Sequence, residues 1–110
     1  MNTIDVNEAE LAIIKNILDR AVPELAVYAF GSRVNSNARK SSDLDLVLMN
    51  QKPFEIKKII ELKDAFRESD LPFKVDIVEW AGISESFREI IKRNYVLLKN
   101  AQLELPGRGS

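Results

Sequence analysis

The sequence predicts an α+β domain: a small mixed β-sheet with two or three helices packed on one face and an acidic site on the other face or edge. Segments with apolar residues at helical spacing alternate with short strand-forming runs, and one helical segment is placed to cross over between two strands. The chain has 110 residues, 45% hydrophobic and 30% charged, enough for one core and too few for a second domain. Residues 1–100 are read as that domain. Residues 101–110 lack periodicity and close on Gly-Arg-Gly-Ser, which predicts a disordered tail or an expression remnant.

Each element has its own signal. Asn7 followed by Glu10 has the form of a capping box, and Leu11, Ile14, Ile17, Leu18 and Val22 recur at helical spacing, so a helix is predicted from Asn7 to about Ala21, ended by Pro23. Leu25-Ala-Val-Tyr-Ala-Phe30, bounded by Pro23 and Gly31, predicts a buried strand. Gly31 to Ser42 is small, polar or basic and predicts a loop with room for one short helical turn. Leu44 to Met49 is the second strand, with Asp43 and Asp45 on one face and Leu44, Leu46 and Leu48 on the other. Phe54, Ile56, Ile59, Ile60, Leu62 and Phe66 predict the crossover helix from Pro53 to about Ser69. Phe73 to Trp80 alternates as a third strand, with Val75 and Ile77 opposite Lys74, Asp76 and Val78. Ser84 opens a last helix with Phe87, Ile90 and Ile91 as its stripe, and Asn94 is expected as a left-handed cap before the strand-like run Tyr95 to Leu98.

Composition removes whole classes of chemistry. Apolar runs such as Leu46 to Met49 fall far short of the roughly 20 residues that cross a bilayer, and no signal peptide is evident, so a cytoplasmic protein is expected. The chain holds no Cys, hence no disulfide, thiolate nucleophile or Cys-based zinc site, and no His, the commonest general base. Its chemistry is left to carboxylates, hydroxyls, Lys, Arg and backbone amides, with an oxygen-loving metal such as Mg²⁺. A net charge of −1 argues against nonspecific coating of nucleic acid or direct nucleic-acid binding.

One constellation stands out. Asp43 and Asp45, two apart on a strand, project from one face about 7 Å apart. Asp76 joins them if its strand is the neighbour. Two such charges about 4 Å apart repel by roughly 4 kcal/mol at an effective dielectric near 20, and a cation is the natural relief. Oxygen ligands select Mg²⁺ or Mn²⁺, and two such ions about 3.5–4 Å apart would organise an in-line displacement at phosphorus. Gly31-Ser32-Arg33 follows the first strand where a triphosphate cradle belongs: glycine admits the phosphate, Ser32 donates a hydroxyl, and Arg33 offers a charged fork. Ser42 adds a hydroxyl before Asp43. An Asp-x-Asp alone is usually a solvated strand face; the Gly-Ser-Arg turn and the third acid reverse that weighting. Arg39 and Lys40 read equally as solvated loop, Tyr28 and Trp80 as packing, Lys74 as a neutraliser of Asp76, and Glu79 as outside the site.

Gly31-Ser32-Arg33, Ser42-Asp43-Leu44-Asp45-Leu46 and Val75-Asp76-Ile77-Val78 resemble the minimal nucleotidyltransferases of the polymerase-beta-like superfamily, over about Leu11 to Lys99. The resemblance implies that Asp43 and Asp45 bind Mg²⁺, that Asp76 completes the metal site and activates the attacking hydroxyl, and that Gly31 and Ser32 hold ATP phosphates. It departs at Ser36, preceded by Asn35, where members often carry glycine. It further implies pairing with a helical HEPN-type toxin, as a hetero-oligomer, in which AMP from ATP is added to a toxin tyrosine so that the chain acts as antitoxin. The alternative is a noncatalytic antitoxin that neutralises by binding alone; an antibiotic-modifying subunit ranks third.

Overall fold

The computed structural model describes residues 4–34 and 43–102. Helix α1 (Glu8–Ala21) starts as its sequence predicts: the Asn7 side chain accepts from Glu10 N at 2.8 Å while Glu10 Oε1 accepts from Asn7 N at 2.9 Å, satisfying two otherwise orphaned amides. Strand β1 (Val27–Phe30) is two residues shorter than predicted, because Leu25 N donates to Val22 O in the turn that follows α1. A 3₁₀ turn (Gly31–Arg33) follows, then β2 (Leu44–Leu48), α2 (Ile56–Arg67), β3 (Val75–Glu79), a second 3₁₀ turn (Trp80–Gly82), α3 (Glu85–Arg93) and β4 (Tyr95–Lys99).

The sheet order is β3-β2-β1-β4. β1 lies antiparallel to both β2 and β4, whereas β2 and β3, joined through α2, are parallel, so the sheet is mixed. Leu44, Leu46 and Leu48 are fully buried on one face of β2, against Ile14 and Leu18 of α1 and Leu62 and Phe66 of α2. Each buried leucine contributes about 2 kcal/mol of transfer free energy. The opposite face carries a smaller cluster, in which Phe87 and Ile91 of α3 cover Phe30 and Val47. Two helices thus share the main core and α3 lies across the sheet from them.

Several local expectations change, among them the α2 stripe, where Ile56 (77% exposed) and Ile60 (50%) face solvent. Pro53 does not open α2: Phe54 N donates to Glu79 Oε2 at 2.7 Å, which holds the segment extended until Glu55 caps the helix. Asn94 is extended (φ −160°, ψ 95°) rather than left-handed, since the chain passes directly into β4. Ile90 leaves the α3 stripe and is 53% exposed; the i, i+4 pair Phe87 and Ile91 meets the sheet instead. Residues 101 and 102 stay with the domain, where Gln102 N donates to Pro23 O at 2.7 Å; residues 103–110 of the expected tail lie outside the described residues.

Candidate active site

The site is assembled across three strands. Phe30 pairs with Asp45 and Asp45 with Asp76, so the turn after β1, the acid of β2 and the acid of β3 meet along one transverse row of the sheet. Asp45 and Asp76 point to the face opposite α1 and α2, because their neighbours Leu44, Leu46 and Ile77 fill the main core. Asp43 precedes β2 on the side that alternation gives to Asp45. All three acids are partly buried.

Electrostatics and space show how closely these parts fit. The Asp45 carboxyl is pushed up to about 6, first by burial and then by the negative charges of Asp76 and Asp43. Gly31 has φ +82°, the left-handed region that favours glycine. A Cβ at Gly31 would collide with Asp45 Oδ2 and stand 3.3 Å from Asp45 Cγ. The Gly31 backbone therefore lies directly against the carboxylate, and only glycine satisfies both demands.

Among the described residues no trio of acidic side chains already encloses a point as metal ligands would. An all-oxygen donor set nevertheless fits a hard divalent cation, which would offset the charges of Asp76 and Asp43 that, after burial, raise Asp45.

The predicted cradle divides. Ser32 is exposed beside Gly31, free of the core. Arg33 is not: it is 6% exposed, its Nη1 donates to Asp5 O at 2.9 Å, and its guanidinium lies 4.0 Å from the centroid of the Phe73 ring. That side chain ties the segment before α1 to the sheet, with Asp5 N donating to Arg33 O at 2.6 Å, instead of reaching out as the charged fork expected from sequence. Nothing in the local pattern signals this, because Asp5 and Phe73 are distant in sequence. Ser42, Arg39, Lys40, Asn35 and Ser36 lie outside the described residues. Glu79 is remote from the acids, accepting from Asn50 Nδ2 at 2.7 Å at the far end of β2.

Residues 6–103 match the family described as polymerase beta, nucleotidyltransferase. The chain belongs to the polymerase beta nucleotidyltransferase family. A probable protein adenylyltransferase of Haemophilus influenzae, MntA, is 48% identical to this nucleotidyltransferase over 99 residues, 90% of this chain and 87% of its own. Among solved structures, a toxin–antitoxin complex with AMP-PNP is similar with a TM-score of 0.70 at 22% identity, covering 84% of this chain and 74% of the other. The complex of a tri-AMPylated Shewanella oneidensis HEPN toxin with its MNT antitoxin gives a TM-score of 0.66 at 21% identity, over 84% and 71%. At these identities the structural likeness speaks for the nucleotidyltransferase fold.

Proposed function

We propose that the chain is a protein adenylyltransferase that transfers AMP from ATP to a hydroxyl, a tyrosine of a HEPN-type toxin, and thereby acts as antitoxin. One observation carries the reading: Asp45 stands in register with Asp76 and in contact with the left-handed Gly31 turn, in a chain 48% identical to MntA.

In this reaction the acceptor oxygen forms a bond to the α-phosphorus, the bond to the β-phosphate oxygen breaks, and pyrophosphate leaves. Asp76 accepts the acceptor proton, and the Gly31 and Ser32 turn holds the triphosphate, with Ser42 assigned as a further hydroxyl. Asp43, Asp45 and Asp76 would hold Mg²⁺ or Mn²⁺, which would supply charge neutralisation at phosphorus. Arg33 acts at a distance, by fixing the turn from behind. The setting is the cytoplasm, where ATP is available; no described helix is long and apolar enough to cross a membrane.

Intact-mass measurement of a co-expressed HEPN-type partner tests the proposal. One or more AMP units on the toxin are expected, lost on Asp45→Asn. A toxin neutralised while its mass stays unchanged would reject transfer and favour inhibition by binding alone.

A further inference from the structure

β3 is an edge strand, so beyond Asp76 the sheet stops and a groove opens. It is about 440 Å³ in volume and lies between the C-terminal turns of α2 and the start of β3. Lys63, Arg67 and Lys74 line it together with Phe66, Phe73 and Asp76. Arg67 is held by Asp64 at 3.0 Å, whereas Lys63 and Lys74 have no ion-pair partner among the described residues. Such a concentration of cations does not follow from the protein's overall charge, which is −1.

The topology assigns the groove to one reactant. Gly31 lies on the β1 side of Asp45 and Asp76 on the β3 side, so the triphosphate turn and the proton acceptor flank the central acid from opposite directions. In-line displacement likewise puts the leaving pyrophosphate and the attacking oxygen on opposite sides of phosphorus. The space beyond Asp76 is therefore on the acceptor's side.

We propose that this groove seats the acceptor protein, and that the seated segment carries acidic side chains near the hydroxyl that reaches Asp76 around the edge of β3. The inference rests on the transferase reading above. The lysines suit carboxylates that flank the acceptor tyrosine. A nucleic-acid strand would call for a longer basic track with exposed stacking platforms; here three cations are interrupted by Asp64, which fits a short acidic peptide better.

The test titrates the full chain, with Mg²⁺ and a non-hydrolysable ATP analogue, against labelled peptides whose central tyrosine is flanked by Glu, Gln or Lys. The Glu peptide should bind about tenfold more tightly than the Gln peptide at low salt and lose that advantage at high salt. Lys63→Glu combined with Arg67→Glu, both on α2 and away from the acids, should turn the preference toward the Lys peptide while melting temperature and ATP-analogue affinity stay unchanged. Equal or absent binding of the three peptides overturns the proposal. So does loss of nucleotide affinity in the double variant, which would give the groove to the triphosphate, or stronger competition by a single-stranded oligonucleotide than by the Glu peptide. Label transfer from ATP is read separately. Charge-selective binding without transfer rejects the transferase reading, and transfer without charge selectivity rejects only the groove assignment.

Discussion

At Gly31 and Asp45 the same few atoms serve folding and chemistry at cross purposes. The fold holds the Asp45 carboxyl at about 6, above its ordinary 3.8, so the protonated form is the one it favours. The stability from that preference is fully present below about pH 3.8 and lost as pH rises through 6. Asp45→Asn, nearly isosteric and uncharged, should therefore raise metal-free stability at neutral pH by about 1 kcal/mol, screening by water at this partly exposed group allowed for, and should have little effect near pH 4. Urea denaturation of both proteins at the two pH values checks this, and a variant no more stable at neutral pH would contradict it. Gly31→Ala should cost more. Its φ of +82° strains any L-residue by about 1–2 kcal/mol, and the new methyl collides with Asp45, so a lower melting temperature should accompany lost nucleotide affinity in calorimetry.

Elements here are secured by contacts their own sequence does not announce. Lys99 ends β4, is 7% exposed, and its Nζ donates to Leu25 O at 2.6 Å, Asn100 O at 3.0 Å and Val22 O at 3.2 Å, with Asp19 at 3.9 Å. It gathers the carbonyls of the turn between α1 and β1, and burial pushes its ammonium below the usual lysine range while Asp19 and Glu24 oppose that shift. Lys99→Met preserves the aliphatic stem but removes the ammonium donor that Leu25 O and Asn100 O share, while Val22 O keeps Leu25 N. It should cost about 2–3 kcal/mol, read from the denaturation midpoint, with transfer activity retained below the new melting temperature. Asn7→Ala removes one half of the α1 capping box and should cost about 1 kcal/mol in the same assay.

For the molecule as a whole, the carboxylate row gains most when both metal and nucleotide arrive. On the proposed reading, ATP alone adds phosphate charge to an acidic face, and Mg²⁺ would offset the two sets of negative charge. Titration calorimetry should thus find ATP binding markedly tighter with Mg²⁺ than without, and the melting temperature should rise with Mg²⁺ and ATP together, in proportion to the affinity for the folded state. Asp45→Asn should abolish most of that rise. An undiminished ligand shift in the variant would remove Asp45 from the metal site.

Much of this was legible in the sequence because side-chain periodicity is local. Alternation around Asp43, Leu44 and Asp45, and the spacing of Ile14 and Leu18 in α1, assign inner and outer faces before any neighbour is known, and the Gly31-Ser32 turn and Asp-x-Asp mark where the proposed site lies. Tertiary structure alone decided that β3 lies parallel beside β2 with Asp76 level with Asp45, that Arg33 turns inward to Phe73 and Asp5, and that α3 covers the second face. Strand pairing and the burial of a cation depend on residues far apart in the chain, whose meeting is set by the whole core and has no local period to read.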